Sequence, residues 1–236
     1  MIRLENISLG YGTRTLLGEV SAHFAEGQLT ALVGRNGAGK STLLRALAGL
    51  EPLQSGAITI GGTSIAELDG SEAARRVAFV ATDKVRIANL PCEHLVALGR
   101  APYTNWIGRL QAIDREIVAD ALAKVGMSEF ARKTMDRMSD GECQRVMIAR
   151  ALAQQTPVIL LDEPTAFLDM PNRYELCRLL QRLAHDENKT IIFSTHELDI
   201  ATKMCDSIAL IDTPKLLHLP AAEMVASGAI ERLFGI

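Results

Sequence analysis

The stretch GRNGAGKST at residues 34–42 satisfies the pattern G-x-x-x-x-G-K-[ST] and directly follows a short apolar segment at residues 29–33. A strand that feeds a glycine-rich turn and then a helix is typical of a loop that binds the phosphates of a nucleotide. The glycines allow turns that a Cβ would forbid, so that successive N–H groups converge on a polyphosphate. Lys40 adds a positive charge, and Ser41 supplies a hydroxyl suited to Mg²⁺. Residues 42–50 are predicted to form a helix whose N-terminal dipole faces the anion.

Length and composition are those of one sizeable globular domain. The chain has 236 residues, and 48% of them are hydrophobic, which is ample for the core of an α/β domain with an inserted subdomain. Its 25 basic residues are outnumbered by 28 acidic ones, giving a formal net charge of −3. Without a positive field around the domain, direct binding of nucleic acid is disfavoured.

The cysteines and the apolar segments give expectations about the compartment. The four cysteines, at positions 92, 143, 177 and 205, form no C-x-x-C pair, so neither a zinc site nor a disulfide framework is indicated, and a reducing cytoplasm suits them. The N-terminus lacks the apolar region of a signal peptide. No stretch approaches the roughly 18 apolar residues of a membrane span. If the protein serves a membrane, a partner chain is expected to supply the spans.

Periodicity along the chain divides it into a strand-rich part and a helical part. Alternating apolar residues predict a strand at 2–9, and short apolar stretches predict strands at 20–24, 57–60 and 76–81. The strand at 57–60 leads into a hairpin turn at Gly61 and Gly62. Helical periodicity then dominates from about residue 84 to 155. We therefore expect a single domain over 1–236, with a core and a small β subdomain at 1–83 and 156–236 and a helical subdomain at 84–155.

A second motif, VILLDEP at residues 158–164, places two carboxylates after a four-residue apolar run. A buried parallel strand delivers acidic groups to its carboxyl edge in this way, whereas a surface acidic pair would not explain the apolar residues. Asp162 is the candidate ligand of Mg²⁺, directly or through water. Glu163 is the candidate general base that orients the attacking water. His196 follows another predicted core strand, 190–194, at the same edge, where a histidine can hydrogen-bond a γ-phosphate.

Taken together, these residues resemble the ATP-binding-cassette (ABC) ATPases over essentially the whole chain. The elements stand in family order: the adenine-stacking aromatic at Tyr11, Walker A at 34–42, the signature at 138–142, Walker B and the catalytic glutamate at 162–163, the D-loop at 167–169 and the switch histidine at 196. The resemblance implies a P-loop NTPase with a RecA-like core, an antiparallel β subdomain and an inserted helical subdomain, and a cofactor set of ATP and Mg²⁺. It implies catalytic roles for Glu163, His196 and Lys40, and nucleotide contacts from Tyr11, Gly34, Asn36, Gly37, Ala38, Gly39, Lys40, Ser41, Thr42, Ser139, Gly141 and Asp169.

Within this family, the segments at 95–110, 162–173 and 223–234 are similar to the ATPase subunits of iron-chelate, haem and cobalamin importers. That resemblance implies a homodimer of ATPase subunits at the cytoplasmic face of the cell membrane. Two permease subunits in trans and an external binding protein complete such systems, and loops within 82–110 would move the permease. The alternatives are a non-transport ABC ATPase that organises a cytoplasmic assembly complex and a scaffold that binds nucleotide without turnover; the presence of Glu163 argues against the scaffold.

The chain departs from the family pattern at three positions. Asp140 stands where the signature usually has glycine, and Cys143 stands where arginine is more usual. No glutamine is present near Thr82, where the family's Q-loop glutamine would fall. Either Thr82 and Asp83 take over the metal–water contact, or that coupling step is built differently.

Two interpretations of Asp140 are open at this level. In one, its carboxylate approaches the γ-phosphate bound to the opposite chain and repels it by about 3 kcal/mol. In the other, which we favour from the sequence, it turns outward and caps a helix beginning near Gly141.

Overall fold

The computed structural model describes residues 1–83, 86–104 and 108–236, and over these residues the fold is α/β. The strands are β1 (Ile2–Tyr11), β2 (Arg14–Phe24), β3 (Leu29–Gly34), β4 (Ser55–Ile60), β5 (Thr63–Ser64), β6 (Val77–Val80), β7 (Val158–Leu161), β8 (Thr190–Ser194), β9 (Ser207–Asp212) and β10 (Lys215–Pro220). The α-helices are α1 (Lys40–Leu47), α2 (Gly70–Arg76), α3 (Cys92–Ala97), α4 (Ala112–Lys124), α5 (Asp140–Ala153), α6 (Met170–Asp186), α7 (Leu198–Met204), α8 (Ala221–Ala226) and α9 (Ala229–Phe234). Short 3₁₀ helices lie at Ile65–Glu67, Leu98–Tyr103, Ser128–Phe130 and Met135–Arg137.

The central sheet has the order β10-β9-β3-β8-β7-β6. Its strands β9, β3, β8, β7 and β6 are parallel, and β10 is an antiparallel edge strand. Every residue of β7 and of β8 is buried, because a parallel sheet has both faces covered. This burial confirms that the apolar runs at 158–161 and 190–194 are core strands.

The two faces of the central sheet pack against different layers. One face packs with helix α1 and with a second, antiparallel sheet of order β2-β1-β4-β5, to which the predicted hairpin after residue 60 belongs. The other face packs with helices that include α5, α6 and α7. Successive residues of one strand alternate between these layers, as Ile192 and Phe193 do. The carboxyl ends of β3, β7 and β8 consequently meet at one edge.

Several elements differ from the sequence-based prediction. Helix α1 begins at Lys40, two positions earlier than predicted, and ends at Leu47, because Gly49 takes a left-handed φ of +71°. Helix α2, which hydrophobic periodicity does not reveal because none of its residues is buried, begins at a capping box formed by Asp69 and Glu72. Strands β9 and β10 were also not predicted.

Helices α3, α4 and α5, which lie between β6 and β7, pack on one another. A buried arginine ties this group together: Arg100 Nε donates to Asp114 Oδ1 at 2.9 Å, and Arg100 Nη1 donates to Ala153 O and Gln155 Oε1, both at 2.8 Å. These contacts join the segment after α3 to the start of α4 and the end of α5. The boundaries 84–155 of a helical subdomain remain a prediction.

Replacing Asp114 with alanine should lower the free energy of unfolding by about 3 kcal/mol, because it leaves the buried Arg100 charge without its carboxylate. A backbone hydrogen bond from Gln111 and the Arg100 guanidinium hold the pKa of Asp114 below its ordinary value. The contribution is therefore present above about pH 4 and is lost as the pH falls through the lowered folded-state pKa. Urea denaturation at pH 7 measures the loss, with Asp120→Ala as control, since the Asp120 side chain is 63% exposed. Equal effects of the two variants would contradict the prediction.

Candidate nucleotide site

The glycine-rich loop runs from the end of β3 to the start of α1. Gly39, the residue before α1, has a φ of +103°, and a Cβ there would lie 3.1 Å from Leu16 Cβ. Lys40 Nζ donates to the carbonyl oxygen of Gly34 at 2.9 Å and to that of Arg35 at 3.4 Å. The loop thus curls around the ammonium group, which lies at the N-terminus of the helix.

Lys40 is a buried cation in an unusual electrostatic setting. Burial lowers the pKa of its ammonium group, while the nearby Glu163 and Asp162 carboxylates act in the opposite direction. The ammonium group has exchanged water for the backbone carbonyl oxygens of Gly34 and Arg35, which are dipoles and carry no full negative charge. An anionic ligand such as a phosphate would satisfy the ammonium charge.

The Asp162 carboxylate joins the loop to two neighbouring strands. Its Oδ1 accepts a hydrogen bond from Ser41 Oγ at 3.0 Å and another from Ser194 Oγ at 2.7 Å. Asp162 therefore lies between the start of α1 and the end of β8, within reach of the phosphate loop. The carboxylate and the Ser41 hydroxyl form a set of hard oxygen donors, the kind that Mg²⁺ prefers.

Glu163 adopts a strained backbone conformation at the end of β7. Its φ of +46° lies in the left-handed region, which costs a non-glycine residue of order 1–3 kcal/mol. The Glu163 N–H donates to Ser194 Oγ at 2.8 Å, and Glu163 Oε1 lies 2.8 Å from His196 Nε2. The turn aims the carboxylate, which is 31% exposed, out of the sheet edge and beside His196.

A cavity of about 290 Å³ opens above this edge. It is lined by Tyr11, Arg14, Leu16, Asn36, Gly37, Gly39, Lys40, Ser41, Thr42, Glu163 and His196. Most of the predicted nucleotide-binding residues, together with the three predicted catalytic residues, are therefore in one place. Tyr11 is exposed, and its hydroxyl lies 3.4 Å from Thr42 Oγ1, so its ring borders the cavity next to the loop.

Seven predicted site residues lie outside this lining. Gly34, Ala38 and Asp162 belong to the loop and the strand edge that border the cavity, and the other four come from other segments. Ser139 is the N-cap of α5, and a Cβ added at Gly141 would lie 3.6 Å from Leu168 Cδ2. Asp169 caps α6, its Oδ1 accepting the N–H of Asn172 at 3.2 Å. Thr82 Oγ1 donates to the carbonyl oxygen of Asp162 at 3.0 Å.

The favoured interpretation of Asp140 as a helix cap was wrong. Helix α5 begins at Asp140 itself, and Ser139 forms its capping box with Glu142: Ser139 Oγ accepts the Glu142 N–H at 3.2 Å, and the Ser139 N–H donates to Glu142 Oε2 at 2.8 Å. A serine followed three residues later by a glutamate is the sequence pattern of a capping box, so Ser139 could have been predicted as the cap from the sequence. The Asp140 carboxylate instead forms an ion pair with Arg86 at 2.5 Å.

Sequence reasoning missed two residues of the site. Ser194 bridges Asp162 and Glu163, and the only signal was a polar residue at the end of a core strand. Arg14 lines the cavity and donates to the carbonyl oxygen of Gly37 at 3.1 Å. It lies 23 positions from Gly37, and no local pattern links the two.

Comparison with known proteins identifies the family. The model of the ABC transporter family matches residues 17–166, a span that includes the phosphate loop, the capped start of α5 and the Asp162–Glu163 pair. The chain belongs to the ABC transporter family of ATP-binding proteins. As a member of this family it is an ATP-binding chain and an ATPase, and the described cavity contains the family's Walker A lysine.

Two curated relatives and one solved structure show how far the similarity extends. The probable siderophore transport system ATP-binding protein of Bacillus subtilis strain 168 is 36% identical over 215 residues, 91% of this chain and 78% of that protein. The petrobactin import ATP-binding protein of Bacillus anthracis is 36% identical over 231 residues, 98% of this chain and 85% of that protein. A dimeric ATP-binding cassette bound to ADP and phosphate matches at a TM-score of 0.79 and 26% identity, over 94% of this chain and 99% of that one.

Proposed function

We propose that this ATPase is the energy-supplying subunit of an importer for an iron chelate, haem or cobalamin. One observation carries the proposal: Lys40, Glu163 and His196 meet at the nucleotide cavity of a chain that is similar, over 91% and 98% of its length, to siderophore and petrobactin transport ATPases. These two relatives are named for the transport of iron chelates, which favours an iron chelate as the substrate. Haem is suggested only by the family resemblance of the sequence.

ATP would bind with its phosphates on the glycine-rich loop and its adenine against Tyr11. Backbone N–H groups and the start of α1 would hold the phosphates, because a helix N-terminus presents unpaired donors and a positive dipole end. Lys40 would exchange its carbonyl contacts for the phosphate oxygens. The exposed ring of Tyr11 offers an apolar face for the base.

The oxygen donors around Asp162 fit a bound Mg²⁺ ion. Ser41 and Asp162, whose oxygens already lie 3.0 Å apart, would hold the ion, and Thr82 is a candidate for contact through water. When bound, Mg²⁺ neutralises part of the charge on the β- and γ-phosphates.

Glu163 would act on the water that attacks the γ-phosphorus. As the water oxygen bonds to phosphorus, the bond to the β–γ bridging oxygen breaks, the water proton passes to the Glu163 carboxylate, and ADP and phosphate are formed. His196 would orient the carboxylate through the 2.8 Å contact and hydrogen-bond the γ-phosphate. Ser194 would hold the Asp162–Glu163 turn in place.

A second copy of the chain would complete each site. Ser139, Gly141 and Asp169 do not line the nucleotide cavity of their own chain, and a contact across an interface would bring them to ATP. A related cassette, 26% identical, was solved as a dimer. An isologous dimer, in which each copy closes the other's site, accounts for both observations.

The membrane-spanning permease would be a separate chain. Among the described residues, no helix is long and apolar enough to cross a bilayer. Next to α3 and α4 lies a groove of about 450 Å³ with a largely apolar lining and three charged or titratable side chains, Glu93, His94 and Arg115. We assign the permease contact to this face, so that the protein works peripherally at the cytoplasmic side of the membrane, with an external binding protein delivering the chelate. Part of the predicted contact segment, residues 84–85 and 105–107, lies outside the described residues.

His196→Ala should lower the ATPase kcat by at least about tenfold, with ATP affinity nearly unchanged, because the carboxylate of Glu163 loses the group that orients it. Steady-state kinetics together with calorimetric ATP binding check this. His185→Ala is the control, since His185 contacts Asp206 on another part of the surface. A His196 variant that matched this control would contradict the assigned role.

Transport itself is tested by reconstitution. The protein is co-purified with a polytopic membrane protein, sought in an adjacent reading frame, placed in proteoliposomes, and assayed for ATP-dependent uptake of ferric siderophore, haem and cobalamin, with Glu163→Gln as the inactive control. Uptake of one of these by the native protein is expected. An ATPase that is active but is recovered with a cytoplasmic complex and no permease would support the non-transport alternative.

A further inference from the structure

The signature segment, residues 138–142, is held on both sides of Ser139 by a single arginine. Arg86 Nη2 lies 2.5 Å from Asp140 Oδ1, and Arg86 Nη1 donates to the Met138 carbonyl oxygen at 3.1 Å. A guanidinium can make two such contacts at once because its donors form a rigid fork. The contact partners flank Ser139 in sequence, so Arg86 restrains the segment that presents the Ser139 hydroxyl.

Arg86 comes from the segment that follows β6, and the start of that segment contacts the Walker B edge. Thr82 Oγ1 donates to the carbonyl oxygen of Asp162 at 3.0 Å. Thr82, Arg86 and Asp140 also line one small cavity with Phe167 and Leu168 of the D-loop. Within one chain, this segment therefore contacts Walker B through Thr82 and the signature segment through Arg86.

The ion pair also changes the charge that the signature presents. An isolated Asp140 carboxylate would place a negative charge at the start of α5, where a partner's triphosphate is proposed to dock. The Arg86 guanidinium neutralises it locally, and an ion pair repels an approaching anion far less than a carboxylate does. Two of the three departures from the family pattern, the aspartate in the signature and the Q-loop region without glutamine, thus meet in space.

We propose that Arg86 is a positioning residue for ATP hydrolysis, which holds the signature segment of its own chain in the orientation and charge state needed to close on the nucleotide of a second copy. This proposal rests on the dimeric function proposed above. Arg86 does not touch the nucleotide cavity of its own chain, so its removal should leave ATP binding by the monomer unchanged. It also should not unfold α5, because the Ser139–Glu142 capping box and the Lys133–Glu142 contact at 3.1 Å hold the helix start independently.

The experiment measures ATP-driven dimerisation by sedimentation in the Glu163→Gln background, and kcat and KM in the native background. For Arg86→Ala we expect dimerisation weakened about fivefold, a similar fall in kcat, and unchanged ATP affinity of the monomer. Arg86→Glu should weaken dimerisation and lower kcat further than Arg86→Ala does, because it places two carboxylates next to each other. The exchange Arg86→Glu with Asp140→Arg should recover most of the loss, and Arg86→Lys should recover only part, since an ammonium lacks the fork.

The exposed Arg178 of α6 supplies the matched control, as Arg178→Ala removes an equal charge elsewhere. Dimerisation and kcat of Arg86→Ala that equal those of this control would overturn the proposal. So would a double exchange that behaves no better than Arg86→Glu alone, because the role would then not depend on the pair. If Glu163→Gln with Arg86 intact fails to dimerise with ATP, the dimeric function itself fails and this proposal falls with it.

Discussion

Replacing Glu163 with glutamine is expected to remove most ATP turnover, by about 100-fold or more, while ATP binding stays near its native strength. The amide keeps the shape of the side chain and retains an oxygen that His196 can contact. It cannot take a proton from water as a carboxylate does. The strained φ of +46° and the N–H bond to Ser194 belong to the backbone, so the turn should persist in the variant. We expect the variant to accumulate as an ATP-bound dimer.

Phosphate release at saturating Mg·ATP and sedimentation with ATP measure the two sides of this prediction. Glu175→Gln is the matched control, because Glu175 lies on the exposed side of α6 with 57% of its side chain accessible. Near-native turnover in Glu163→Gln would remove Glu163 from its assigned role. Loss of ATP binding together with turnover would mean that the Glu163 carboxylate is needed for nucleotide binding at the phosphate loop and does not act on the attacking water.

Lys40→Ala should impair ATP binding, the step before hydrolysis, and lower the affinity for ATP about 100-fold. The ammonium is the buried cation of the phosphate loop, and charge-assisted hydrogen bonds to phosphate are worth roughly 1.5–3 kcal/mol each. Its removal would also leave the carbonyl oxygens of Gly34 and Arg35 without this donor and facing the phosphates. Both effects weaken binding before any chemistry begins.

Calorimetry with Mg·ATP measures the affinity, and Lys203→Ala on the exposed surface of α7 controls for the loss of one positive charge. Unchanged affinity in Lys40→Ala would contradict the assignment of residues 34–42 as the phosphate loop. Folding is checked separately by urea denaturation, since the loop lies at the sheet edge and the variant removes a buried side chain.

Asp140 shows where reasoning from the sequence reached its limit. Aspartate is a good helix cap, and a helix does begin there, so the capping interpretation was physically sound. The serine one position earlier caps the helix instead, because Glu142 at the third helical position completes its capping box. What Asp140 does was decided by a residue 54 positions away, Arg86, which no local rule connects to it.

Local patterns in the sequence were enough to predict the phosphate loop, the buried strands β7 and β8, and the edge at which Glu163 and His196 lie. Each of these features depends on neighbouring residues: glycine conformations, apolar runs, and the rule that parallel strands end at one edge. The tertiary structure alone decided that Ser41 and Ser194, at separations of 121 and 32 positions from Asp162, would share its carboxylate. It also paired Arg86 with Asp140. Hydroxyl and guanidinium groups carry no periodicity, and their partners are set by which strand ends and helix starts the packed core brings together.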